Sequence, residues 1–222
     1  MTPGALVRKL AGPYERRLCE LYRGIFVDVD RCIRQIATAI PPLARVIDIG
    51  GGDGQVLNLL LRLRPDITVA MLDLRASIGL FLEDDLRERV ELNPSTSLAL
   101  YRERGKPLAD ALLVSDVIHH VPRPERPGFV RDCRALMNPD AVLVIKDYAP
   151  GHLRSVLALA TDWFVTGDRH VRLLTPAEMA ALVESHTDLC RQSSLLATRE
   201  LPNYAMAFRR HGAKTDPGQT GY

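Results

Sequence analysis

One apolar stretch that stops on closely spaced glycines constrains this chain more than any other feature. Arg45-Val46-Ile47-Asp48-Ile49 runs into Gly50, Gly52 and Gly54, which fall at alternate positions. A leucine-rich amphipathic run from Val56 to Leu63 follows at once. The pattern predicts a buried strand, a tight turn and a helix. Glycine suits such a turn because the backbone needs positive φ and because a ligand must approach it closely. The unpaired N–H groups of the new helix then face whatever sits over the turn.

The glycine spacing limits what that ligand can be. A dinucleotide fold uses G-x-G-x-x-G, with a pyrophosphate on the helix N-terminus. A P-loop needs Gly-Lys-Ser/Thr before its helix. Here the run is Asp48-x-Gly50-x-Gly52-x-Gly54 followed by Gln55, so neither motif is present. An acid two residues before the first glycine suits a cation, such as an α-ammonium or sulfonium group. The run resembles the first motif, E/D-x-G-x-G-x-G, of the class I S-adenosylmethionine-dependent methyltransferases. The resemblance extends over residues 40 to 210, and it implies S-adenosylmethionine as cofactor.

About 20 residues after the turn, Thr68 to Leu74 forms a second apolar run carrying Asp73. In a βαβ unit this interval puts a carboxylate at the C-terminal end of strand two. Such a carboxylate can accept both hydroxyls of a ribose, and the resemblance gives Asp73 that role, with Leu74 beside it. Residues 76 to 87 read as helical, and Val90 opens a short third strand. Relatives carry an acid after that strand for adenine. This chain has Asn93-Pro94-Ser95-Thr96-Ser97, so Asn93 is the candidate for that contact. A helix is expected from Leu98 to Arg104.

A fourth apolar run, Ala109 to Ser115, ends at Asp116 and continues Val117-Ile118-His119-His120-Val121. This resembles the family's fourth motif at the pocket mouth. It implies that Asp116 lines the methionine portion and that His119 or His120 serves acid–base chemistry. Histidine suits this because its pKa lies near neutrality. A helix is expected over 123 to 137, a turn at Asn138-Pro139-Asp140, and a fifth strand from Ala141 to Tyr148. Asp116 and Asp147 at adjacent strand ends would suit Mg²⁺. The related catechol-type enzymes use an Asp-Asn pair there, and Tyr148 replaces the Asn, so the chain is read as metal-independent.

Residues 14 to 40 repeat apolar side chains at helical spacing and read as a cap or lid helix. Residues 150 to 174 gather Arg154, Trp163 and His170 and read as an insertion over the pocket. With Tyr148, these three are the candidate substrate residues. Thr175-Pro176-Ala177-Glu178 is a helix start with a capping box. Leu189 to Ala197 and Asn203 to Phe208 then read as a terminal hairpin, with strand seven between five and six as in the family.

The expected fold is therefore α/β, a Rossmann-like doubly wound sheet of seven strands, mostly parallel with one antiparallel strand. The expected organisation is a helical cap at 1–43, a cofactor-binding domain at 44–210 and a mobile tail at 211–222. A net charge of +2 and 5% aromatic residues offer no basic stacking surface for nucleic acid. No apolar run is long enough to span a bilayer. Four scattered cysteines form no zinc or disulfide pattern. A cytoplasmic location is expected, and a homodimer is left open. The expected activity is methyl transfer to O, N or C of a small molecule, in secondary-metabolite or quinone-like biosynthesis. The open alternatives are a non-methylating use of the sulfonium, in cyclisation or elimination, and a catalytically silent partner subunit.

Overall fold

The computed structural model describes residues 29–151, 171–197 and 203–212. Helix α1 (Val29–Ala39) leads into β1 (Arg45–Ile49), α2 (Gln55–Leu63) and β2 (Thr68–Leu72). Next come β3 (Val90–Asn93), α3 (Leu98–Glu103), β4 (Ala109–Ser115), α4 (Arg126–Ala135) and β5 (Met137–Tyr148). Helix α5 (Pro176–His186), β6 (Leu189–Ala197) and β7 (Asn203–Arg210) close the order. The strands form one sheet in the order β3-β2-β1-β4-β5-β7-β6. Strand β7 runs antiparallel to both of its neighbours, and the other pairs are parallel. The expected seven-stranded doubly wound sheet is what forms.

Alternation along the strands explains the two layers. Ile47 and Ile49 of β1, with Ala70 and Leu72 of β2, share a core with Val130, Cys133, Met179 and Val183 of α4 and α5. Val46, Val69 and Met71 share the opposite core with Ile33 and Ile36 of α1 and Leu57, Leu60 and Leu61 of α2. Both faces are covered, so the central strands read as continuous apolar runs rather than alternating ones. The capping box of α5 is present: Thr175 Oγ1 accepts from the Glu178 backbone N–H, and the Glu178 carboxylate accepts from the Thr175 N–H at 2.8 Å. Among the described residues, no helix is long and apolar enough to cross a membrane.

Three expectations on secondary structure need correction. Residues 76–83 are not helical, and only Asp84–Arg89 form a short 3-10 helix. Their N–H groups are used elsewhere: Gly79 donates to Gly52 O at 2.9 Å and Phe81 to Asp53 O at 2.8 Å. The buried Asn58 side chain donates to Phe81 O and accepts from Glu83 N, fixing the segment against α2. The helix expected over 123–137 is a 3-10 turn at Arg123–Glu125 followed by α4. Asn138-Pro139-Asp140 lies within β5 rather than ahead of it. There the register against β4 slips between Ala109 and Ala111, and such a bulge accepts a proline that cannot donate to the ladder.

The expected N-terminal helix before residue 29, Arg154, Trp163 and His170 of the insertion, and the tail beyond residue 212 lie outside the described residues.

Candidate functional site

A cleft of about 850 Å³ opens at the C-terminal ends of β1, β2 and β4, where open α/β sheets bind ligands. Ile49 and Gly50, at the start of the glycine turn, line it. Gly50 donates to Leu72 O at 2.7 Å, tying the end of β1 to β2. Gly50, Gly52 and Gly54 have φ of 71°, 64° and 85°, as the turn requires. Gly51, which the alternating pattern passes over, is the most confined. A Cβ there would lie 2.4 Å from Asp48 Oδ2 and 2.7 Å from Met71 Cγ.

Asp73 stands at the cleft wall. Its Oδ2 accepts from Gly52 N at 3.2 Å and its Oδ1 from Arg75 N at 2.9 Å. The Arg75 guanidinium pairs with the same carboxylate at 3.0 Å. Leu74, 75% exposed, forms an apolar shelf beside it. Asp48 is placed differently. It shares the strand face of Val46, beneath the turn and under Gly51, and it does not line the cleft. Burial, reinforced by the nearby charge of Asp73, pushes its carboxyl up to about 7. Asn93 is also buried, donating to Glu91 O at 3.2 Å, and the cleft beside it is lined by Thr96, Ser97 and Leu98 instead.

The two histidines separate. They occupy a 3-10 turn, Ile118–His120, which turns successive side chains in different directions. His120 faces the cleft. His119 is buried, with Nδ1 2.6 Å from Asp147 Oδ1 at the end of β5. That oxygen also accepts from the Tyr148 N–H at 2.7 Å, so it acts as an acceptor. The proton of the His119–Asp147 contact therefore belongs on Nδ1, donated to the carboxylate. The Tyr148 ring meets His119 edge-on, with centroids 6.2 Å apart.

Asp116 lines the cleft in a left-handed backbone conformation, φ 58°. Its Oδ2 holds Lys146 Nζ at 2.5 Å, and its Oδ1 is buried with no partner among the described residues. Burial opposes the charge of Lys146, but Asp116 and Tyr148 outweigh it and hold the ammonium above its usual range. The two carboxylates weighed for Mg²⁺ are thus engaged by Lys146 and His119. Arg126, buried on α4, donates to Val121 O at 2.9 Å and to Arg172 O at 2.7 Å. Arg172 N in turn donates to His119 O at 3.0 Å. The histidine loop is so tied to the chain that follows the insertion.

A model of the methyltransferase domain matches residues 21–186. The chain belongs to the class I S-adenosylmethionine-dependent methyltransferase family. It is 30% identical over 125 residues to O-methyltransferase SfmM3 of Streptomyces lavendulae, a match covering 56% of this chain and 37% of that protein. The fold is similar to that of the mitomycin 7-O-methyltransferase MmcR, with TM-score 0.65, 22% identity, and coverage of 93% of this chain and 60% of MmcR. It is also similar to the O-methyltransferase NcsB1 from neocarzinostatin biosynthesis, in complex with S-adenosylmethionine and 2-hydroxy-5-methyl naphthoic acid. That likeness has TM-score 0.58 and 20% identity, covering 79% of this chain and 52% of NcsB1. The chain spans less than two thirds of the length of each of these.

Several residues that shape the site of this domain carry no clear mark in the sequence. Asp147 was noticed as an acid at a strand end, but nothing in the sequence ties it to His119. Arg75, two residues after Asp73, and Lys146, next to Asp147, carry no further signal. Glu125, Phe129 and Asp132 reach the cleft from the start of α4 and the turn before it.

Proposed function

We propose that this methyltransferase domain binds S-adenosylmethionine in the cleft and that the methyl group goes to a hydroxyl oxygen of a small aromatic acceptor. The observation that carries this reading is the charge of the cleft. Its lining holds Asp73, Asp116, Glu125 and Asp132 against Arg75 and His120, with Lys146 pairing Asp116 from outside the lining. An acidic cleft suits a cofactor carrying ammonium and sulfonium charge and opposes a pyrophosphate. The partnerless Asp116 Oδ1 is an acceptor of the kind a cationic ligand satisfies.

In this reading Asp73 accepts the ribose hydroxyls, and Leu74 with Leu98 sandwiches the adenine. Asn93 supports the adenine end from within the core. The turn at Gly50 and Gly52 admits the ligand to bare backbone, with Asp48 as a buried acid beneath it. Asp116 faces the methionine end. The cofactor supplies an electrophilic methyl group on positive sulfur. The chain's own work is alignment, exclusion of water and removal of the acceptor's proton. His120, which faces the cleft, takes that proton, and the buried His119, held by Asp147, packs against it with ring centroids 4.2 Å apart. The names of the O-methyltransferase relatives and the naphthoic acid held by NcsB1 support an aromatic hydroxyl as acceptor.

The test is incubation with S-adenosylmethionine and a panel of hydroxylated aromatic acids, read by mass spectrometry. Equal amounts of S-adenosylhomocysteine and a methyl ether are expected. Cofactor consumption without a methylated product points instead to elimination or cyclisation, and overturns the proposal.

A further inference from the structure

The carboxylate assigned to the ribose already holds a guanidinium. Arg75 Nη2 lies 3.0 Å from Asp73 Oδ2, and Arg75 Nε lies 3.3 Å from each carboxylate oxygen. The same guanidinium crosses the glycine turn, since a Cβ on Gly52 would come within 2.7 Å of Arg75 Nη2. The pair is unequal. Asp73 is 10% exposed and fixed by the N–H groups of Gly52 and Arg75, whereas the Arg75 side chain is 52% exposed. The arginine is therefore the part that can leave.

We propose that Arg75 is an intramolecular competitor for the ribose subsite. This rests on the cofactor reading above and adds a residue that sets how tightly the cofactor is held. The diol and the guanidinium exchange on the same two oxygens, so each binding event breaks one ion pair. A pair whose guanidinium is half exposed contributes little, which keeps the competition shallow and reversible. Arg75 thereby weakens the hold on the spent cofactor as well as on the fresh one, and release of product is faster than in a site without it.

Calorimetry with S-adenosylhomocysteine tests this on the wild type, Arg75→Ala and Arg75→Gln. Both variants are expected to bind roughly two- to fivefold tighter than wild type. Raising KCl screens an exposed pair, so wild-type affinity should climb toward that of the variants, whose own affinity stays level. Equal or weaker binding by both variants overturns the competitor role while leaving the cofactor reading intact. Failure of all three proteins to take up the ligand removes the cofactor reading and the competitor with it.

Discussion

Asp147 Oδ1 lies 2.6 Å from His119 Nδ1, and the two side chains are 0% and 1% exposed. A buried carboxylate at that distance fixes both the tautomer and the ring plane of the histidine. His119 packs against the cleft-facing His120, with ring centroids 4.2 Å apart, so Asp147→Asn should present the wrong partner to Nδ1 and loosen the ring that backs the base. A fall in kcat of roughly 10²-fold is expected, within the range for general base catalysis, with S-adenosylhomocysteine affinity changed by less than about threefold. Steady-state kinetics with calorimetry separate the two. Unchanged kcat would leave the pair a structural contact only.

Asp73→Ala should act on the opposite quantity. Hydrogen bonds to a charged group contribute about 1.5–3 kcal/mol. Losing the diol contact should weaken S-adenosylhomocysteine binding by roughly 10- to 100-fold, as read by calorimetry, with the circular dichroism spectrum unchanged. Retained affinity would move the ribose elsewhere.

Asp48 makes stability depend on pH. Burial, with Asp73 nearby, raises its carboxyl to about 7, against roughly 3.9 in an unfolded chain. Between these values the folded state binds more protons than the unfolded one, so stability falls as pH rises through the window. The full penalty, of order 4 kcal/mol, is present above about pH 7. Asp48→Asn removes the titration, so the variant should gain on the wild type between pH 5 and pH 8. Urea unfolding at both values measures this, and parallel curves would contradict it.

The strand, turn and acid around Asp73 were legible because each is set by local spacing: alternate glycines, an apolar run, and a fixed interval to the next strand end. The terminal hairpin was legible for the same reason. What escaped was decided by contacts distant in the chain. His119 and His120 are neighbours, yet only Asp147, 28 positions away, makes one of them a buried partner and leaves the other at the cleft. Residues 76–83 look helical by pattern, but the carbonyls of Gly52 and Asp53 claim their N–H groups. Asp48 was read as a ligand contact, whereas strand alternation turns it to the face opposite the cleft lining.

Gly51 lies outside the alternating glycine pattern and is closely confined. Asp48 Oδ2 and the Met71 side chain both stand where its Cβ would be. Gly51→Ala should destabilise the fold by about 1–3 kcal/mol through overpacking. Thermal unfolding tests this, and an unshifted Tm would mean that Asp48 and Met71 yield freely.

The most direct measurement is titration of the purified wild-type protein with S-adenosylhomocysteine and, separately, with NAD. Saturable heat is expected with the first, at one ligand per chain, and none with the second. Heat with NAD and silence with both S-adenosylmethionine and S-adenosylhomocysteine would contradict it.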